Sequence, residues 1–352
     1  MVKGDIRSPQ LRINHDDRAP VISVVISNFN GLRFLPRLLE SLRAQRGVSL
    51  EIIVVDRQSQ DGSLPFLTAQ PDVQLLSEPP DSGLVSGYQR GVDTARGELL
   101  FFCNEDMWFD PECLKTLESR IDLPQRIGAV DPWQWSYDGS EWTHGATRYR
   151  PARWAINSPQ PWRAVEFQLD LPAGSEIPFP CAGAVLIHRD VYREIGGWDT
   201  SFFLDHEDID LFLRAWQRRW RCVVEPGARV YHAINAANSN ILPSTGKPVA
   251  RRRYIGQRAN LPIIAIKYFS SPWILPALAQ WAVAFLNNLT AGRWQSVLCD
   301  LAIPAEILRR IPAAWHFRRA NAPYNSRFPG EDFFDDPRFQ VPPESSRTGE
   351  AG

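Results

Sequence analysis

Between Val21 and Cys103 the chain alternates short apolar runs with helical patterns, and this alternation fixes the class of fold. Residues 21–26 are a mostly β-branched run bounded by Pro20 and Asn28, which reads as a buried strand. Residues 32–46 carry Leu35, Leu38, Leu39 and Leu42 at steps of three and four, a helical stripe that ends at Gly47. Residues 51–55 form a second strand ending in Asp56, residues 73–76 a weaker third, residues 84–95 a helix, and residues 98–103 a fourth strand. Asn30-Gly31 is a turn, and Asp61-Gly62-Ser63 is a turn that also caps a helix. Alternation of this kind builds a mostly parallel sheet with helices on both faces. Ligands of such sheets bind beyond the carboxyl ends of the strands. Polar residues gather there: Asn28 and Asn30, then Asp56, then Asn104-Glu105-Asp106.

Composition narrows the function. Lys plus Arg is 39 and Asp plus Glu is 40, a net charge of −1, which excludes a globally basic nucleic-acid binder. A hydrophobic content of 44% with 22% charged residues excludes a disordered chain. The five cysteines contain no CxxC pair, so neither a disulfide framework nor a zinc ribbon is expected. They read as small buried hydrophobes of a cytoplasmic protein. Residues 1–19 form a polar extension without the apolar core of a signal peptide.

The charge is unevenly spread. Residues 247–320 hold eleven basic residues against two acidic ones, Asp300 and Glu306, and include the most apolar stretch, 261–289. A basic, apolar segment on an acidic body reads as an element of the membrane surface, placing the protein peripherally on the inner face of the membrane. The plainer alternative is a helical layer packed on the core. Residues 268–286 carry no charge and are long enough to span a bilayer, but Pro272 and Pro276 interrupt them. Helices lying in the interface, with Trp273, Trp281, Trp294 and Trp315 at headgroup depth, fit better. The polar tail after Ala320 is expected to be loosely ordered.

The motifs carry the chemistry. In an extended segment Asn104 and Asp106 would face the same way, and their oxygens suit Mg²⁺ or Mn²⁺; a helix cap before Pro111 is the alternative. Asp56 offers a carboxylate that accepts the N3–H of uracil or thymine but does not match cytosine. Gly83, Gly87 and Gly91 share one helical face and permit close approach of a backbone or a ligand. Neither GxGxxG nor a P-loop is present. The densest cluster runs from Gly196-Gly197-Trp198-Asp199 to His206-Glu207-Asp208-Ile209-Asp210, where acids open a helix and either cap it or supply a general base. His232 follows another strand, and with the acidic triplet it is a candidate third metal ligand.

Together these segments resemble the inverting family 2 glycosyltransferases of GT-A fold, above all the branch of bacterial rhamnosyltransferases and galactofuranosyltransferases. The resemblance covers about residues 20–235 through five motifs in order. It implies a GT-A domain over residues 20–246, followed by the membrane-associating helices of 247–320 and a flexible tail over 321–352. It implies that Asn28, Asn30, Asp56, Asp61, Gly83 and Gly87 bind the nucleotide, with Asp56 on the pyrimidine and Asp61 supporting the loop. Asp106, Asn104 and His232 would hold a divalent metal, with Asn104 standing where the family often has an acid. Asp208 would be the catalytic base with Glu207 beside it, and Trp133, Trp135, Trp198 and Asp199 would line the pocket for sugar and acceptor. The implied partners are a dTDP- or UDP-linked sugar donor, a glycan or polyprenyl-linked acceptor, and the membrane surface. The competing functions are a catalytically silent sugar-nucleotide or glycan binder, a membrane-surface scaffold, and a metal-dependent nucleotide-sugar hydrolase.

Overall fold

The computed structural model describes residues 21–151, 163–168, 171–233 and 248–341. The N-terminal extension, the end of the tail, and Trp154 and Trp162 lie outside the described residues.

The four expected strands are β1 (Ile22–Asn28), β2 (Leu50–Asp56), β3 (Val73–Ser77) and β4 (Leu99–Asn104). β1 runs parallel to β2 and β4, with Val24 opposite both Ile52 and Phe101. Every residue of β1 is buried, as a strand covered on both faces requires. Its side chains alternate between two cores. Ile22, Val24 and Ile26 pack with the leucines of α1 (Leu35–Arg43), while Val25 packs with Tyr88 and Phe102. α1 stops short of Gly47 because the Arg46 amide is drawn away to the carbonyl of Pro111. α2 (Ser63–Thr68) and α3 (Leu84–Val92) complete this half.

The glycine face of α3 is a packing face. A Cβ on Gly87 would lie 2.2 Å from the Ser27 hydroxyl oxygen, and one on Gly91 2.3 Å from a methyl of Val25. Gly83 has φ +90 and abuts the backbone of Phe203. The missing side chains of Gly83 and Gly87 thus allow close contact between helix, strand and loop. Gly87→Ala is expected to destabilise by ~1–3 kcal/mol through overpacking. The check is a lower urea midpoint at unchanged slope; an unchanged midpoint would show that α3 can slide off β1.

Beyond the parallel half the sheet is mixed. β5 (Met107–Phe109), β6 (Ile127–Ser136), β7 (Trp142–His144), β10 (Glu176–Ile177), β11 (Ala184–His188) and β12 (Arg221–His232) complete it, in the order β10-β12-β6-β11-β4-β1-β2-β3. β11 is antiparallel to β4 and β6, and β12 is parallel to β6. β5 pairs with β12 and β7 with β6, while β8 (Thr147–Pro151) and β9 (Arg163–Phe167) form a separate hairpin. The helices α4 (Cys113–Glu118), α5 (Arg189–Glu194) and α6 (Glu207–Gln217) cover the faces.

The carboxyl-terminal third is helical: α7 (Pro248–Tyr268), α8 (Ser271–Thr290), α9 (Trp294–Asp300), α10 (Ile303–Ala320), α11 (Ala322–Arg327) and α12 (Gly330–Asp335). Ala259, Ile263, Ile264 and Ile266 of α7 join the same apolar cluster as Phe102 and Phe212. The first part of the apolar stretch is therefore core. Among the described residues no helix is long and apolar enough to cross a membrane. The stripe expected on α9 and α10 divides, with Val297 and Ile307 turned inward and Trp294, Leu298, Leu308 and Trp315 exposed. The side chain of Trp273 lies outside the described residues. The loose tail expected after Ala320 is helical over 322–327 and 330–335, because Phe333 and Phe334 are fully buried against Tyr149 and Phe269.

Candidate active site

The loops after β1 and β2 are stitched together by side chains. Asp56 is fully buried, and its oxygens accept from Asn28 Nδ2 (2.7 Å), the Ser59 hydroxyl (2.8 Å) and the Ser59 amide (2.9 Å). It organises the loop through both of its oxygens. Asn28 is likewise fully buried. Asn30 adopts φ 57, accepts from the Gln60 amide at 2.7 Å and donates its own amide to the Ser59 hydroxyl at 2.8 Å. Asp61 accepts from the Leu32 amide at 2.8 Å and from both the amide and hydroxyl of Ser63, so it braces the two loops and also caps α2.

The acidic triplet does not run straight. A turn at Glu105 and Asp106 breaks the strand alternation. Asn104 Oδ1 accepts from the Tyr88 hydroxyl at 3.0 Å. The chain re-enters the sheet as β5, whose antiparallel register sets Met107 opposite His232. Asp106 Oδ1 thereby comes to 3.0 Å from His232 Nε2. His232 Nδ1 lies 3.0 Å from Gln134 Oε1. If Nδ1–H donates to Gln134, Nε2 presents a lone pair to a carboxylate, a pairing that calls for a cation between them. This oxygen and nitrogen donor pair fits a divalent metal that completes its shell with phosphate oxygens. Among the described residues no cluster of three or more His, Cys, Asp or Glu side chains gathers at one metal position. Burial, reinforced by Asp106, pushes the Glu105 carboxyl up to about 7 against the opposing pull of Arg57. An open cleft of about 450 Å³, lined by Ser136, Tyr137, Thr143 and His232, lies beside the pair.

The second acidic group opens α6. Glu207, Asp208 and Asp210 occupy its first turn, where the helix dipole favours negative charge. Glu207 and Asp210 are buried, whereas Asp208 keeps partial exposure. Burial pushes the Asp208 carboxyl up to about 6, against hydrogen bonds from the Ile209 and Ala182 amides and the pull of His144. Glu207 is driven higher by burial and by Asp208.

Residues 181–183 join the two groups. The Cys181 amide donates to Asp131 Oδ1 at 3.1 Å, the Ala182 carbonyl accepts from Tyr88, and the Gly183 carbonyl accepts from the Asn104 amide. The fully buried Asp131 is pushed up by burial and lies in the field of His144 and Asp208. Asp131, Gln134, His144 and Tyr88 escaped the sequence reading. The first two occupy a strand whose mixed polar and tryptophan residues follow no simple period, and His144 lies in a strand of only three residues.

Two residues expected in the sugar pocket belong elsewhere. Trp198 is 4% exposed and packs on Phe102 and Tyr88, with ring centroids 5.2 and 5.8 Å away. Asp199 is ion-paired with Lys267 at 3.0 Å. Trp133 and Trp135 remain partly exposed on β6.

The family model described as "Glycosyl transferase family 2" matches residues 23–196. The chain carries a glycosyl transferase family 2 domain. An uncharacterized protein of Mycobacterium tuberculosis is 26% identical over 310 residues, covering 86% of this glycosyltransferase and 90% of that relative. The N-acetylglucosaminyl-diphospho-decaprenol L-rhamnosyltransferase of the same species is 27% identical over 241 residues, covering 61% of this chain and 76% of the relative. The crystal structure of GalNAc-T7 with UDP, GalNAc and Mn²⁺ superposes with a TM-score of 0.56 at 16% identity, over 76% of this chain and 52% of that one. That likeness establishes the GT-A fold of the family 2 domain.

Proposed function

We propose that this glycosyltransferase moves a sugar from a dTDP- or UDP-linked donor to a hydroxyl of a polyprenyl-linked or polysaccharide acceptor, inverting the anomeric centre. The observation that carries the reading is a partly exposed carboxylate at the start of α6 held by the Ala182 amide, while the next residue, Gly183, holds the amide of Asn104, two residues before the Asp106 of the Asp106–His232 pair. Asp208 takes the proton of the acceptor hydroxyl as its oxygen attacks C1 and the bond from C1 to the diphosphate oxygen breaks. Asp106 and His232 would hold a divalent metal, which would supply charge neutralisation for the departing diphosphate. Gln134, 3.0 Å from His232 Nδ1, orients the imidazole and would leave Nε2 free to bind it. Asn30 and Asp61 hold the donor loop in shape, and Trp133 and Trp135 offer faces for sugar C–H groups.

The relative that acts on a decaprenol-linked substrate supports a polyprenyl acceptor. The exposed Leu275, Leu286, Trp294, Leu298, Leu308 and Trp315, interspersed with exposed Arg251, Arg252, Arg293 and Arg309, support seating on the inner membrane face. The test is thermal unfolding with dTDP, UDP, GDP and ADP, each with and without Mn²⁺. At about 100 times Kd, stabilisation by dTDP or UDP should reach ~2.7 kcal/mol and should require the metal. If no nucleotide moves the transition, the donor assignment fails.

A further inference from the structure

Asp205 and His206, immediately before the acids of α6, both adopt left-handed backbone conformations, with φ 69 and 66. Consecutive non-glycine residues hold such geometry only when their surroundings enforce it. Here the enforcement comes from the helical third of the chain. Arg253 of α7 grips Asp205 with two parallel bonds, Nε to Oδ2 at 2.9 Å and a terminal nitrogen to Oδ1 at 3.0 Å. Two turns further along α7, Asn260 Nδ2 donates to the carbonyls of Leu204 (3.2 Å) and Asp205 (2.6 Å). Arg310 of α10 holds Asn260 Oδ1 at 2.7 Å. From the other side the Leu84 amide donates to the Phe203 carbonyl at 3.0 Å.

We propose that Arg253 is a positioning residue for catalysis, orienting Asp208 and setting its basicity by neutralising Asp205. This inference rests on the reading of Asp208 as the general base. A two-pronged guanidinium–carboxylate contact fixes orientation as well as charge. Asp205 stands three residues before Asp208 and works to raise its carboxyl, as a like charge does. The other groups facing Asp208 are Glu207 on α6, Asp131 on β6, His144 on β7, Tyr149 on β8 and the thiol of Cys181. Of these His144 alone opposes the negative charge, so the neutralisation of Asp205 falls to Arg253 from outside the cluster.

The test is the pH profile of kcat/KM for transfer by the full chain. Arg253→Gln leaves Asp205 uncompensated, so the acid limb should move to higher pH by about half a unit or more. Asp205→Asn removes the like charge, and its limb should move to lower pH. The double variant should return near the wild-type position. Arg253→Lys keeps the charge but loses the fork, so its limb should stay in place while kcat falls. A purely structural splint would lower kcat by one factor at every pH and leave all limbs coincident, which overturns the proposal. Should Arg253→Gln fail to fold, Asp205→Asn decides alone: an unmoved limb overturns it. Asp208→Asn separates the two readings. If that variant keeps turnover, the base assignment has failed; if it is inactive while the limbs coincide, only the role of Arg253 has failed.

Discussion

Asp208→Asn is expected to lower turnover by ~10²–10⁴ while donor binding stays as in the parent. The amide keeps the size and much of the hydrogen bonding of the carboxylate but accepts no proton. Steady-state transfer together with donor titration calorimetry separates the two quantities. A matched loss of both would remove Asp208 from its role as base. The parent enzyme should carry the same signature in its pH dependence. With the carboxyl pushed up to about 6, Asp208 is ionised at neutral pH and becomes protonated as pH falls through that value. Activity should therefore decline on the acid side of about 6, earlier than for an ordinary aspartate.

Lys267→Met should be the most damaging single change to stability. Lys267 on α7 is 1% exposed and contacts both Asp199 and Asp210. Asp210, also fully buried, accepts in addition from Arg214 at 2.7 Å and from the Tyr268 hydroxyl at 2.7 Å. Two cations and two anions balance in this pocket. Deleting one cation leaves a buried carboxylate short of charge, at a cost of ~3–5 kcal/mol. For a chain of this size the unfolding temperature should fall by roughly 10 °C. Asp210→Asn in the same background should recover part of the loss. If Lys267→Met costs less than about 1 kcal/mol, Arg214 alone satisfies Asp210.

The parallel half of the fold was legible because its strands are largely buried on both faces, so β1, β2 and β4 appear as mostly apolar runs broken only by residues such as Ser23 and Glu51. β6 was not, because Asp131, Trp133, Gln134 and Trp135 interrupt any simple pattern. The proximity of Asp106 and His232 came from family resemblance and not from spacing, since it depends on β5 pairing with β12 across more than a hundred residues. The turn at Glu105 and Asp106, which ends β4 and lets β5 begin, carries no signal in the sequence pattern. The charge signal of residues 247–320 was mixed. Arg251 and Arg309 face outward, whereas Lys267 and Arg310 are buried and Arg318 donates to the carbonyls of Ile266 and Phe269.

The burial of α7 in the main core bears on how chains of this kind can be recombined. A splice at residue 247, where composition changes, would strip Ile263, Ile264 and Phe269 from the cluster around Phe102 and leave Asp205 without its clamp. A hybrid enzyme given foreign surface helices should retain its own sequence through Phe269 and change partners only from α8 onward. The helical third is thus interchangeable in its outer helices alone, while its first helix is inherited with the loop at Asp205.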